Sequence, residues 1–243
     1  MELSDHLREK YASQYNSESV TWRNLGAKHK ADNIVSLARH ITFKNVLEVG
    51  AGEGSILDWL SKWNFSTDLN CVEISESGIA MIRSKGIMHL NDVLLFDGYK
   101  IPFPNNHFDL VICSHVLEHV EHERTLLREI KRVSKYQIFE VPIDFSFYVD
   151  SKVKHFLSYG HINIYTPGLF RFLLKTENFK VLHDKCYLYP DDVLQMTYKN
   201  NRSGYYVAKI KHAILRLFPY LLGIKPSAYA VLTSKESGRV DIF

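Results

Sequence analysis

Apolar residues along this chain recur with two alternating periods, and the alternation outlines a sheet wrapped by helices. Short, nearly continuous apolar runs near residues 44–49, 68–73, 92–96, 108–113 and 135–141 read as buried strands. Between them, segments near 55–63, 76–85 and 119–133 repeat apolar side chains at the spacing of a helix with one buried face. The last is the plainest: Leu126, Leu127, Ile130 and Val133 form one stripe, while Arg124, Arg128, Glu129 and Lys131 fall on the opposite side. Residues 21–40 read as a further helix, with Leu25, Ile34, Leu37 and Ala38 inward. Pro167–Glu177 reads as another, with proline near its first turn. Strands near 179–189 and 226–233 close the series. Such alternation predicts an α/β fold built on a doubly wound, mostly parallel sheet.

The first strand ends in Asn45-Val-Leu-Glu-Val-Gly-Ala-Gly-Glu-Gly-Ser55, and helical spacing resumes at Ile56, Leu57, Leu60 and Trp63. A strand, glycine turn and helix let a nucleotide-like ligand press against backbone at the strand's carboxyl end. A Cβ there would obstruct both turn and ligand. The next strand delivers Glu73, about twenty residues on, where a carboxylate is placed to accept both hydroxyls of a ribose. Dinucleotide sites favour G-x-G-x-x-G, but here the order is G-x-G-x-G and Ser55 stands at the third dinucleotide glycine. Glu48 lies two residues before the loop. A buried acid would repel a diphosphate and suits instead a ligand carrying an ammonium and a sulfonium, which points to S-adenosylmethionine.

With these residues in view, the chain resembles the class I S-adenosylmethionine-dependent methyltransferases. Three stretches carry the resemblance in order: Glu48–Gly54, Ile101-Pro-Phe-Pro-Asn-Asn-His-Phe-Asp109 and Leu117-Glu-His-Val120, within roughly residues 44–182. It implies a Rossmann-like, seven-stranded sheet with an antiparallel edge strand. It also implies a cofactor site drawn from Glu48, Gly50, Ala51, Gly52, Gly54, Glu73, Ile74, Asp97, Gly98 and Ser114. Two acids compete for the adenine amino group, Asp92 and Asp97; the family's count to the Ile101-Pro-Phe triplet favours Asp97. A single domain over 1–243 is expected, with about 1–43 as a cap, 44–182 as the cofactor core, 142–170 as a substrate-side insertion and 183–243 as edge strands.

The stretch Ser114-His-Val-Leu-Glu-His-Val-Glu-His-Glu123 is dense in titratable groups. His115, Glu118 and His119 would share one face of a helical turn. Some related O-methyltransferases, of small RNAs and of the ubiquinone pathway, hold a divalent ion with E-x-x-E-H here and a later histidine. Here His115 replaces the first glutamate, and His161 of Gly160-His-Ile-Asn falls where the later histidine would. The metal is therefore left open beside a metal-free reading in which His119 and His161 act as acid/base or substrate contacts. A hydroxyl acceptor needs such a base, and histidine titrates in the useful range. Pairing Leu-Glu-His-Val with a later Gly-His stretch is common in methyltransferases of surface-polysaccharide pathways. That favours a hydroxyl or amine of a sugar or sugar conjugate; RNA and quinone or phenol acceptors are the alternatives.

Composition narrows the partners. A formal charge of +3 on 243 residues, without a long Lys/Arg run, disfavours nucleic acid. Cys71, Cys113 and Cys186 lack paired spacing, as in a reducing cytoplasm. The charged N-terminus does not read as a signal peptide, and no apolar run is long enough to span a membrane. A homodimer is left open. Tyr11, Tyr15, Trp22 and Arg23 form a candidate cap over the cofactor, or an ordinary packing helix. The stretch Phe145–Asp150 through Tyr165, with Lys152, Lys154, His155 and His161, is a candidate acceptor lid. Phe218-Pro-Tyr-Leu-Leu-Gly-Ile224, with Arg216 and Lys225 around it, is expected to be buried or to meet another subunit, a membrane or partner being the alternative.

Overall fold

The computed structural model describes residues 20–144, 149–223 and 226–235. Tyr11, Tyr15 and the aromatic run over 145–148 lie outside the described residues. The chain order is α1 (Val20–Ala38), β1 (Asn45–Val49), α2 (Ser55–Lys62), β2 (Asp68–Glu73), α3 (Glu76–Ser84), β3 (Leu90–Leu95) and β4 (Phe108–Ser114). It continues with α4 (Glu123–Val133), β5 (Ser134–Pro142), α5 (Val149–Ser158), α6 (Pro167–Thr176), β6 (Phe179–Tyr187), α7 (Asp191–Thr197), α8 (Arg202–Leu217) and β7 (Ala228–Lys235). Short 3-10 turns occupy Leu117–His119 and Pro219–Gly223.

The seven strands form one sheet in the order β3-β2-β1-β4-β5-β7-β6. Strands β1 to β5 pair in parallel, and β7 runs antiparallel to both β5 and β6. Side chains alternate across the sheet, so each strand feeds two cores. Val46, Leu69, Cys71, Leu110, Ile112, Ile138, Ala230 and Leu232 pack toward α1, α2 and α3. Leu47, Val72, Val111, Cys113, Phe139, Val141, Tyr229 and Val231 pack toward α4 and α6. The stripe Leu126, Leu127, Ile130 and Val133 is buried, as its spacing predicts.

Local chemistry fixes several helix ends. Ser75 caps α3 by accepting from the Gly78 N–H at 3.3 Å, and Thr166 caps α6 by accepting from the Leu169 N–H at 3.1 Å ahead of Pro167. Where a helix was expected from 119, the chain first makes the Leu117–His119 turn, and α4 starts at Glu123.

The antiparallel element sits one place in from the edge. β7 is apolar on both faces and buried from Ala228 to Thr233, which suits an interior strand, whereas β6 leaves Lys180, His183, Asp184 and Lys185 in contact with water. Two helices, α7 and α8, separate β6 from β7, where only strands were anticipated. Phe218 and Tyr220 are exposed rather than buried within the chain.

Phe170 of α6 is fully buried and meets the rings of Phe139, Tyr165 and Tyr229 edge-on, at centroid distances of 6.2, 5.1 and 6.3 Å. Phe170→Ala should cost about 3–5 kcal/mol of unfolding free energy, the range for an aromatic removed from a packed core. Urea unfolding measures it; a loss under 1 kcal/mol would show that α6 is not packed on the sheet as described.

Candidate active site

Connections leave β1 and β4 toward opposite faces of the sheet, so a crevice opens between their carboxyl ends, where such sheets bind ligands. A cleft of about 540 Å³ lies there. Its floor is the loop after β1, one wall is the segment after β4, and α1 contributes Arg23, Gly26, Ala27 and Lys30.

The loop bends through left-handed backbone at Gly50, Gly52 and Gly54, with φ of 70°, 60° and 75°. A Cβ on Gly50 would sit 2.6 Å from Val116 Cγ2, so only glycine allows the loop to approach the segment after β4. The Glu73 carboxylate braces the loop, accepting from the Gly52 N–H at 2.8 Å and the Ser75 N–H at 3.0 Å. From above, Arg23 of α1 donates to buried Glu53 at 3.0 and 3.1 Å, tying the helix to the loop.

Glu48 is buried at the end of β1, and its Oε2 has no hydrogen-bond partner. Burial pushes its carboxyl up to about 8, against the pull of Lys30 from α1. Lys30 in turn is lowered by desolvation, although Glu140, Glu118 and Glu48 oppose the shift. Glu140 at the end of β5 accepts from Asn33 of α1 at 3.0 Å and bonds His115 at 3.2 Å.

His115 itself takes a left-handed backbone, φ 55°, uncommon for a residue with a Cβ. Its ring bridges two acids, with Nδ1 3.3 Å from Glu118 and Nε2 3.2 Å from Glu140. Burial alone would raise the wholly buried Glu118, but the His115 charge overrides it and holds the carboxyl down at about 2.

His119 and His161 meet edge-on, with ring centroids 4.8 Å apart. His119 Nδ1 donates to the Gly160 carbonyl at 3.0 Å, and His161 Nδ1 bonds the Asp144 carboxylate at 2.5 Å. In each neutral ring Nε2 then carries the lone pair. Burial and the nearby His161 and His115 lower the His119 imidazolium, opposed by Glu118 and the Gly160 bond, so the ring favours its neutral form. Glu118, His119 and His161 each offer one ligand atom, all within 4.8 Å of one another.

Most residues singled out from sequence line this cleft: Glu48, Gly50, Ala51, Gly52, Glu73, Ile74, Gly98, Ser114, His119 and His161. Gly54 and Asp97 do not. Gly54 caps α2 and packs toward Ile82 and Ile87. The Asp97 side chain folds back to accept from the Tyr99 and Lys100 N–H groups at 2.9 and 2.7 Å, closing its own turn. Asp92 is farther removed, in a separate surface hollow with Arg83 and Asn91. His115 reaches the cleft wall but falls outside the Glu118–His119–His161 cluster, because its backbone turns the ring toward Glu140. Lys30, Asn33, Asp144 and Tyr159 were not foreseen. Asp144 follows β5 directly, a position that could have flagged it; Lys30 sits in Lys28-His-Lys-Ala-Asp32 and reads like a solvated face.

Residues 47–137 match a methyltransferase domain family. Among curated proteins, the ubiquinone/menaquinone biosynthesis C-methyltransferase UbiE of Cupriavidus necator is 35% identical over 95 residues, 37% of this chain and 38% of that protein. The same enzyme of Burkholderia cenocepacia is 29% identical over 154 residues, 60% of this chain and 61% of that one. The chain thus spans less than two thirds of these relatives' length. Among solved structures, a SAM-dependent methyltransferase from Archaeoglobus fulgidus superposes with a TM-score of 0.60 at 20% identity, covering 89% of this chain and 97% of that one. A Haloferax volcanii putative methyltransferase, solved with its Trm112 activator, gives 0.64 at 13% identity over 96% and 99%. Residues 47–137 thus match a methyltransferase domain, and the fold is the one shared with these solved methyltransferases.

Glu48 generates a pH prediction. Its folded carboxyl titrates near 8, above the ordinary value of 4.5, so the folded state keeps a proton that the unfolded chain releases. Stability should therefore fall as pH rises from about 4.5 to 8 and level off beyond. Glu48→Gln should flatten that decline; an unchanged profile in urea unfolding would mean that Glu48 is ionised in the folded protein.

Proposed function

We propose that this protein transfers a methyl group from S-adenosylmethionine to a small-molecule acceptor, with His119 and His161 beside the reacting group. The observation that carries the reading is the pair of oriented imidazoles, ring to ring at 4.8 Å, on the wall of the cleft that the glycine loop floors. When bound, the cofactor supplies an electrophilic methyl group on a positively charged sulfur. The residues present fit it. Glu48 offers a buried carboxyl oxygen, Oε2, without a hydrogen-bond partner and suited to a cationic group, and Glu73 keeps lone pairs beyond its bonds to the Gly52 and Ser75 N–H groups for hydroxyls. Glycine backbone leaves room for close approach, and 540 Å³ is ample for a ligand of that size.

In this reading the protein contributes positioning, exclusion of water and a base. His161, oriented by Asp144, receives at Nε2 the proton that an acceptor hydroxyl loses. Neutral His119 stands alongside as an acceptor of hydrogen bonds. The favoured acceptor is a hydroxyl of a sugar or sugar conjugate, a preference that rests on the pairing of Leu117-Glu-His-Val with Gly160-His. A second reading comes from the curated relatives, named for C-methylation in ubiquinone and menaquinone biosynthesis. A quinol ring carbon also becomes nucleophilic when its hydroxyl is deprotonated, so the same base serves either acceptor. The three-residue cluster also offers a divalent ion one ligand atom each from Glu118, His119 and His161, all within 4.8 Å of one another.

Two measurements test this. Glu73→Ala should weaken S-adenosylmethionine binding by about 1–3 kcal/mol in calorimetry, the worth of hydrogen bonds to a charged group; unchanged affinity removes Glu73 from the site. Turnover of labelled cofactor against nucleotide sugars, quinols, amines and RNA identifies the acceptor class. On the acceptor so found, His161→Ala should lower turnover about 100-fold with cofactor affinity retained. Loss of activity with a chelator, restored by a divalent ion, assigns Glu118, His119 and His161 to a metal; indifference assigns the histidines to proton transfer.

A further inference from the structure

Helix α8 is held to the fold by a narrow stripe, Ala208, His212 and Leu215, and is open on its other side. At a helical pitch, Tyr206, Val207, Ile210, Ile214 and Leu217 fall together, roughly opposite that stripe. All five are between 46% and 74% exposed, and Phe218 and Tyr220 extend the apolar surface at 47% and 72%. Among the described residues this is a dense collection of large exposed apolar side chains, and a single connected strip of that kind marks an interaction surface rather than ordinary exposure.

Charge says what covers it. Arg202, Lys209 and Arg216 run along one border of the strip, and Lys211 stands on the other. All four are exposed, and the helix contains no carboxylate. The helix alone therefore carries more positive charge than the chain's net +3. Lys209 has a partial counterion in Asp191 at 3.3 Å, whereas Lys211 lies near enough to Lys152 of α5 for the two charges to repel. A second copy of the helix laid on this strip would bring cationic borders together with no helix carboxylate to offset them. Phosphate headgroups would neutralise both borders while the apolar strip enters the acyl boundary. We infer that α8 docks this protein on an anionic membrane surface, lying in the interface without crossing it.

On the side of Lys211, α8 faces α5 through Lys152. Val153 and Leu157 of α5 are also exposed, and Ser158 and Tyr159 at its end line the cleft. The inference concerns the surface and does not depend on the identity of the acceptor.

Flotation of the full chain with vesicles of phosphatidylglycerol and phosphatidylcholine, against phosphatidylcholine alone, tests it. The expected result is capture by the anionic vesicles, weakened by salt, with little capture by the neutral ones. Ile210→Asp with Ile214→Asp should reduce the bound-to-free ratio at least tenfold, and Lys211→Gln with Arg216→Gln should reduce it mainly at low salt. Circular dichroism melting should be unchanged, since these side chains touch water; if the double aspartate variant melts early, Leu217→Asp at the helix end replaces it. Failure of the wild type to float with anionic vesicles would overturn the inference. So would capture that survives the aspartate variants, or a dimer in sedimentation that those variants convert to monomer.

Discussion

The structure turns on a concentration of carboxylates in a place where water is scarce. Glu48 closes β1, Glu140 lies near the end of β5, and Glu118 sits in the turn after β4, all buried within one corner of the sheet. Unpaired, such groups would neutralise or push the corner apart. Two devices hold them. Lys30 and Asn33 come down from α1, and His115 adopts left-handed backbone to bridge Glu118 and Glu140. Glu48 has no hydrogen-bond partner at Oε2 among the described residues, and it faces the cleft. The corner is thus built to receive positive charge, which connects the packing of α1 to the chemistry beneath it.

The same corner explains why α1 belongs to the site although it precedes the glycine loop and the histidine-rich turn in the chain. Its apolar face packs on β5 and β7 through the core that contains Ala27, Ala31 and Ile34. The end of the same face carries Arg23 onto Glu53 and Lys30 over the acids. Removing the helix would expose the cleft and strip two cations from buried carboxylates at once. Cleft enclosure and electrostatic balance are therefore one arrangement.

Much of this was legible beforehand because it is local. A strand followed by alternate glycines and an amphipathic helix permits few foldings, and Glu73 is brought back by the very next strand. The convergence of His119 and His161 was also readable, since both follow strands whose carboxyl ends face the same crevice. Asp97 was a harder case: its position was anticipated near the cleft, but its side chain satisfies the turn after β3 instead. Competition between a backbone turn and a ligand for one short carboxylate is not visible in spacing.

The alternation of strands and helices and the glycine turn are written locally in the chain, because each follows from neighbours a few positions apart. Long-range packing set the rest. It placed β7 between β5 and β6, since a strand apolar on both faces gains most burial there. It brought Lys30, 110 positions before Glu140, over that carboxylate, and set Asp144 behind His161. It also left a large apolar strip of α8 turned outward. Pairings across such distances depend on how whole layers stack, and a chain read residue by residue carries no measure of that.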